Sequence, residues 1–281
     1  MIREAMVWIE AAMASQRGNG YFGTAANYGG PDVERIPDFW PNMIMIDVLR
    51  THYEATGDER VISLLTRYFK WQNTIPDSLF LKSYWQHHRG GENLAGVYWL
   101  YNHTGDTSLL ALAEKIHRNT ADYVSGIPDW HNVNFAQAFR EPATYYQQSG
   151  NPQHLAATYR DLKEIGELYG QVPGGLWCGD ENSSPAYTDP RQSIETCGIV
   201  ELMRSCEALL EITGDAAWAD RCEEAAFNSL PASLMPDLKA LRYMTSPNMA
   251  QSDRSNKCSG TNSTIPALSP WKRRPSGQWC N

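Results

Sequence analysis

The chain has 281 residues, of which 42% are hydrophobic and 20% are charged, a composition typical of a globular protein with a sizeable core. Its formal net charge of -8 argues against nucleic acids and anionic membranes as partners, since both are bound through an excess of Lys and Arg. The apolar runs fall far short of the roughly 20 residues that span a bilayer, and the first segment, MIREAMVWIEAAMAS, has the spacing of a folded helix rather than a signal peptide.

Apolar residues at helical spacing predict about nine helices and no convincing strand before about residue 240, so the expected fold class is all-α. In chain order the predicted helices cover residues 1–16, 38–55, 59–75, 91–104, 107–124, 133–148, 152–168, 192–213 and 216–233.

A recurring phrase separates successive helices. HYEATGDERVISLL, YNHTGDTSLLALA, YYQQSGNPQHLAA and LLEITGDAAWADR each place one glycine between two amphipathic segments: Gly57, Gly105, Gly150 and Gly214. Glycine ends a helix in the left-handed conformation, and the Asp or Asn that follows caps the next helix. Each phrase therefore predicts the tip of a helical hairpin, and the repeat predicts stacked hairpins.

The segments at the opposite end from these tips are long, irregular and rich in aromatic residues, which favours a closed toroid over an open solenoid. Their aromatic side chains suit stacking against the apolar faces of sugar rings, or else they plug the mouth of the toroid. They are Tyr21, Trp40, Tyr84, Trp85, Trp130, Trp177 and Tyr187.

Two carboxylates and a thiol lie in the segment GDENSSPAYTDPRQSIETC, at Glu181, Glu195 and Cys197. One continuous helix would separate the two glutamates by about 21 Å, but Pro185 and Pro190 forbid such a helix. The segment can therefore double back and bring both carboxyl groups into one pocket.

Glu195 and Cys197 can bind one ion only if the backbone there is extended or just entering a helix. In that interpretation Thr196 caps the helix that follows, and Cys197 lies at its positive end, where a thiolate is favoured and Zn²⁺ is a suitable ion. In the alternative, the helix begins at Asp189 with Pro190 in its first turn, Glu195 is exposed and Cys197 is buried.

A family resemblance is carried by the segments DENSSPAYTDPRQSIETCGIVELM, HNVNFAQAF and YMTSPNM. Over about residues 38–256 the sequence resembles the β-L-arabinofuranosidase family, glycoside hydrolase family 127 and relatives such as family 146. The resemblance implies an (α/α)6 barrel that hydrolyses β-L-arabinofuranosides with retention, with a zinc-bound cysteine as nucleophile. It implies Glu181 as the acid/base, Glu195 and Cys197 as Zn²⁺ ligands, and His131 as a contact to the sugar. The implied substrate is a small molecule or oligosaccharide that contains L-arabinofuranose.

The chain departs from the family towards its end. The family's adjacent Cys-Cys pair, which supplies the nucleophile and another zinc ligand, is absent, and only Cys258 and Cys280 follow the matching words. Cys280 is the expected nucleophile. The sequence predicts about nine helices where the family has twelve, and the family's β-sandwich domains are missing. We therefore expect a partial toroid over residues 1–250, an irregular tail over 251–281, and a truncated or degenerate member with little or no activity.

The alternative function is a noncatalytic helical scaffold that binds carbohydrate or a protein partner. Other reactive side chains are expected to pack: adjacent His87 and His88 have poor chelating geometry, and Cys206 and Cys222 lie on apolar faces. Cys178 is close enough to Glu181 to line the site. The six cysteines lack the spacings of a disulfide scaffold, which predicts a reducing, cytoplasmic setting, unless the chain has lost an upstream export signal.

Overall fold

Helices dominate the computed structural model, which describes residues 2–24, 38–170, 176–177, 179, 183 and 193–245, and the backbone of 268–270. The chain divides into two compact units. The first comprises Met1–Asp122 with Thr144–Asn151, and the second comprises Tyr123–Ala143 with Pro152–Asn281. No helix in the described ranges is both long enough and apolar enough to cross a membrane. The predicted boundary at residue 250 lies outside the described residues and stays a prediction.

The first unit is built on two helical hairpins. Its helices are α1 (Ile2–Ala14), α2 (Trp40–Thr56), α3 (Arg60–Thr74), α4 (Tyr84–His88), α5 (Gly91–Thr104) and α6 (Ser108–Asn119). Apolar side chains from α2, α3 and α5 form the centre of its core, among them Met43, Ile46, Leu65, Phe69 and Val97. The sequence pattern missed α4, which is five residues long.

The second unit contains α7 (Asn132–Ala138), the start of α8 (Glu141–Ser149), α9 (Pro152–Tyr169), α10 (Thr196–Thr213), α11 (Ala217–Glu224), a π-helical stretch (Ala225–Ser229) and α12 (Leu230–Ala232). Its short strands are β1 (Ile194–Glu195), β2 (Ala240–Arg242), β3 (Met244–Thr245) and β4 (Leu268–Pro270). β1 pairs antiparallel with β3, Ile194 opposite Thr245 and Glu195 opposite Met244, and β2 pairs antiparallel with β4. β1 corrects the expectation of no strand before about residue 240.

The glycine tips have the predicted geometry. Gly57, Gly105 and Gly214 are the C-caps of α2, α5 and α10, each with φ of 68°, and Gly150 has φ of 61°. At three of the four tips the aspartate that follows accepts a hydrogen bond from a backbone N–H two residues on, at Arg60, Ser108 and Ala217. The prediction of helical hairpins with capped tips is confirmed at these positions.

The predicted helix over 133–148 is wrong, because the chain forms α7 and α8 instead. The hydroxyl of Thr158 donates to the carbonyl of Phe139 at 3.0 Å and accepts from the N–H of Ala143 at 3.2 Å. The side chain thus stands where one helical hydrogen bond would form, and Pro142 lacks the N–H for the bond before it. The helix predicted over 216–233 is likewise interrupted by the π-helical stretch, close to Pro231.

α7 and α10 run side by side in the same direction. The first turn of α10, at Gly198, lies against Asn132 in the first turn of α7. Further along, the Ser205 hydroxyl donates to the Ala136 carbonyl at 2.6 Å, and the Arg140 guanidinium donates to Ser205 at 2.6 Å. Both helices therefore begin at one end of this unit, and the Gly214 tip lies at the other end of α10.

Candidate functional site

Glu195 is the point at which extended chain enters α10. It is the helix N-cap, with φ of -69° and ψ of 130°. Its N–H donates to the Gly179 carbonyl at 3.1 Å, and the N–H of Gly179 donates to the Ser193 carbonyl at 2.9 Å. With β3 paired on the other side, residues 193–195 cannot be helical. The alternative in which a helix runs from Asp189 through this segment is therefore wrong.

The predicted capping role of Thr196 is also wrong. Thr196 is the first helical residue, and its hydroxyl donates to the Arg242 carbonyl at 2.7 Å instead of bonding to its own helix. Its N–H donates to the Tyr243 carbonyl at 2.9 Å. Thr196 therefore ties the start of α10 to the chain that enters β3.

The carboxyl group of Glu195 is buried and hydrogen-bonded. The residue is 2% exposed, and its Oε1 accepts a hydrogen bond from the hydroxyl of Tyr243 at 2.8 Å. Because Glu195 pairs with Met244, the strand register brings the preceding residue, Tyr243, next to this carboxyl group. The sequence interpretation missed Tyr243, although it opens the word YMTSPNM that contributed to the family resemblance.

Cys197 is the second residue of α10 and is half-buried. The first turn of a helix carries the partial positive charge of its N–H groups, which favours a thiolate. A buried carboxyl group and the thiol of a half-buried residue thus lie two residues apart in the chain, at one helix start. This is the backbone arrangement that joint binding of an ion requires.

His131 caps α7. The ring Nδ1 accepts a hydrogen bond from the backbone N–H of Asn134 at 3.3 Å. The backbone N–H of His131 donates to Oδ1 of Asp129 at 2.6 Å. A backbone N–H can only donate, so Nδ1 is the acceptor and the neutral ring carries its hydrogen on Nε2. His131 is buried at the start of α7, the end of the unit at which α10 also begins.

Asn132 joins the start of α7 to the acidic segment. Its Nδ2 donates to the Gly179 carbonyl at 2.9 Å, and its Oδ1 accepts from the Trp177 indole N–H at 2.6 Å. The N–H of Ser183 donates to the Trp130 carbonyl at 2.8 Å. These bonds hold the described residues of the acidic segment beside His131 and the start of α10. The sequence interpretation did not single out Asn132.

Glu181 and Cys280 lie outside the described residues, as do Cys178 and Cys258, so their predicted roles stay predictions. Within the described part of the chain, no group of three or more His, Cys, Asp or Glu side chains is placed to hold a metal ion. Of the residues to which the family resemblance assigns a role as Zn²⁺ ligand, both Glu195 and Cys197 are described, and their ligand role stays a prediction.

The remaining described histidines and cysteines of interest pack as expected. Burial raises the pKa of the Cys206 thiol to about 12 and also raises the pKa of Cys222. Both are free thiols, and the predicted reducing, cytoplasmic setting stays a prediction. Nδ1 of His87 lies 2.9 Å from the Asn119 carbonyl, and the ring stacks edge-on with His88.

The model of the β-L-arabinofuranosidase GH127 catalytic domain matches residues 1–280. A solved GH127 β-arabinofuranosidase is similar in fold with a TM-score of 0.65 at 18% identity, over 86% of this chain and 43% of its own. The GH127 β-L-arabinofuranosidase of Geobacillus stearothermophilus T6 has a TM-score of 0.66 at 17% identity, over 87% and 45%. An α-1,6-mannanase from Salegentibacter has a TM-score of 0.56 at 18% identity, over 79% and 68%. No curated protein matches the chain.

The chain thus spans less than half the length of the two solved GH127 proteins. At these identities the likeness concerns the fold. It confirms the predicted class, an all-α toroid type built from helical hairpins.

Proposed function

The chain belongs to the family of the β-L-arabinofuranosidase GH127 catalytic domain, and from this premise we propose that it acts as a glycoside hydrolase that releases L-arabinofuranose from β-L-arabinofuranosides with retention. One observation carries the proposal beyond family membership. Buried Glu195 and half-buried Cys197 stand at the junction of β1 and α10, and the capping histidine of α7 lies at the same end of the second unit.

The described residues fit a zinc ion as part of its ligand set. Carboxylate oxygen and thiolate sulfur are both common zinc ligands, and Glu195 and Cys197 would fill two of the usual four positions. Ligating carboxylates are themselves held by further hydrogen bonds, and Tyr243 supplies such a bond to Oε1 of Glu195. A bound zinc ion would keep a coordinated thiol in the thiolate form. We assign Cys280 as the cysteine that acts as nucleophile.

The remaining roles follow from retaining hydrolysis. Glu181 protonates the leaving oxygen as the glycosidic C–O bond breaks and the Cys280 sulfur bonds to the anomeric carbon from the opposite face. Glu181 then takes a proton from a water molecule, which attacks the anomeric carbon, breaks the C–S bond and releases arabinose and the Cys280 thiolate. His131 donates a hydrogen bond to a sugar oxygen through Nε2, because Nδ1 is committed to capping α7. In this assignment His131 orients the sugar and transfers no proton.

Zinc binding tests the ligand assignment without any turnover. We expect the purified protein to bind about one zinc ion, and Cys197→Ser to weaken zinc binding at least tenfold, as loss of a ligand does. Cys222→Ser is the matched control, since Cys222 is also a half-buried cysteine on a helix. Unchanged zinc affinity in Cys197→Ser, measured by competition with a chelator, would show that the ligand assignment is wrong.

Release of arabinose from a chromogenic β-L-arabinofuranoside tests the reaction. Because the family's Cys-Cys pair is absent, we expect little release by the zinc-loaded protein. Glu181→Gln and Cys280→Ser should each abolish the release that remains. Turnover that survives Cys280→Ser would mean that another group is the nucleophile. A zinc-loaded protein that binds arabinosides but releases no arabinose would favour the noncatalytic scaffold.

A further inference from the structure

The structure separates the aromatic residues of the predicted ligand-binding end into two groups. Tyr21 and Trp177 are fully buried and belong to the cores of their units. Tyr84 is 48% exposed, and Trp40, Trp85 and Trp130 are half-buried. Tyr187 lies outside the described residues. Packing therefore accounts for the buried rings, and Tyr84 is the most exposed ring of this set among the residues that the structure describes.

Tyr84 belongs to a cluster in the first unit that we call the Tyr84 ledge, formed by Trp40, Tyr84, Trp85, His88 and Arg89. The two indoles stack with their centroids 5.9 Å apart, and Tyr84 meets both Trp85 and His88 edge-on at 4.9 Å. The Arg89 guanidinium lies 4.7 Å from one indole centroid and 4.6 Å from the other. The buried Arg89 guanidinium thus makes a cation–π contact with both indoles.

The ledge is rigid because its short helix is tied on both sides. Oε1 of the buried Gln86 accepts a hydrogen bond from the N–H of Phe39, just before α2, at 2.9 Å. The carbonyl of His87 accepts from the N–H of Ala121 at 3.0 Å. At Gly90 a Cβ would lie 2.1 Å from the Thr120 hydroxyl, so the chain after the ledge packs closely against α6. A ring held in this way loses little side-chain entropy when a ligand covers it.

The ledge lies at the ends of α2 and α5 at which a ligand-binding surface is expected. Trp40 is the first residue of α2, and Arg89 immediately precedes the turn into α5. Both helices end at glycine tips, Gly57 and Gly105, so the ledge lies at the ends of α2 and α5 that are opposite the tips. Exposed rings on a rigid helical scaffold, at the end where long loops gather, are common binding surfaces.

The size of the exposed surface favours a sugar ring over a protein. A stable protein interface covers about 800 Å² on each partner and usually centres on a broad apolar patch. Within the ledge only Tyr84 is strongly exposed, and exposed Lys82 lies two residues before it. One aromatic ring with a polar border matches the C–H face of one sugar ring, whose hydroxyl groups remain in water or meet polar neighbours.

We propose that the Tyr84 ledge binds one neutral sugar ring of a carbohydrate ligand, with the C–H face of the sugar against Tyr84 and Trp85. The choice of carbohydrate rests on the proposed function, but the ledge involves none of the residues assigned to catalysis or zinc. It would hold a sugar that is not itself hydrolysed.

The test uses the full chain and neutral arabino-oligosaccharides, with binding measured by calorimetry and located by hydrogen exchange of the peptide over residues 82–90. We expect saccharide to slow exchange there, and Tyr84→Ala to weaken binding roughly tenfold, as loss of one aromatic contact does. Tyr84→Phe keeps the ring and should bind like the parent. Tyr159→Ala is the matched control, since Tyr159 is 38% exposed and also packs against a tryptophan, Trp218, at 5.1 Å.

Equal affinity in Tyr84→Ala and the parent overturns the proposal, as does exchange over residues 82–90 that saccharide leaves unchanged. Equal losses in Tyr84→Ala and Tyr159→Ala would also overturn it. Absence of arabinose release, with protection of the ledge intact, would refute the proposed function and leave the ledge assignment standing.

Discussion

Replacing Gly198 by alanine tests the packing that joins α7 to α10. A Cβ at Gly198 would lie 2.4 Å from Nδ2 of Asn132 and 2.9 Å from its Oδ1. Asn132 is fully buried and cannot move aside freely, because Nδ2 donates to Gly179 and Oδ1 accepts from Trp177. The substitution therefore forces either the helices apart or a buried hydrogen bond to break.

Three contributions determine how much Gly198→Ala changes the free energy of unfolding. Forcing a methyl group into a packed interior costs about 1–3 kcal/mol, and losing one buried hydrogen bond costs about 1–3 kcal/mol more. Alanine returns about 1 kcal/mol because it favours the helix over glycine. We expect Gly198→Ala to lower the free energy of unfolding by about 3 kcal/mol.

Urea denaturation followed by tryptophan fluorescence and circular dichroism measures this cost. Gly166→Ala is the matched control: Gly166 lies within α9, no atom stands within 4 Å of a Cβ there, and the variant should gain up to about 1 kcal/mol. If Asn132 is the clashing partner, Gly198→Ala should cost less in an Asn132→Ala background. A Gly198→Ala protein as stable as the parent would refute the packing argument.

Two further predictions concern the first unit. Nζ of Lys115 donates to the carbonyls of Asn73 and Ile75 at the end of α3. Lys115→Met should therefore lower the free energy of unfolding, measured with urea, by about 2–3 kcal/mol. Lys163→Met is the control, because Lys163 is exposed, and it should change that free energy by less than about 0.5 kcal/mol. Hydrogen bonds from Arg60 hold the pKa of Asp58 well below its ordinary value, so the Asp58 carboxylate stabilises the folded protein. The stabilisation is complete above the ordinary carboxyl pKa and is lost as pH falls towards the folded-state pKa. Asp58→Asn should lower stability at neutral pH by about 1 kcal/mol or less, with the difference shrinking in acid, and a difference that does not depend on pH would contradict the assignment.

The hairpin tips could be predicted from sequence because their determinants are local. The left-handed glycine and the aspartate that follows it act within a few residues, so the phrase at Gly57 or Gly214 contains all the information that the turn needs. The helix starts at Gly91, Ser108 and Pro152 follow from the same local patterns of apolar spacing and were close to prediction.

The structure around Glu195 could not be decided from local pattern. Its extended conformation depends on β3, about fifty residues further along the chain, and on Gly179, and neither pairing leaves a local signal. The break between α7 and α8 was missed for the same reason, since the hydroxyl that interrupts the helix belongs to Thr158 in α9. The family resemblance indicated the correct backbone at Glu195 because it carries this long-range information indirectly.

The glycine tips offer practical attachment points for engineering. No atom stands within 4 Å of a Cβ at Gly57, Gly105, Gly150 or Gly214, so the chain there is surrounded by solvent. Lengthening such a turn costs only about 0.6 kcal/mol for each doubling of the loop. A fluorescent dye or an affinity tag inserted at Gly214 would lie at the far end of α10 from Glu195 and Cys197. Reporter groups could therefore follow zinc or sugar binding from a position that does not obstruct the site.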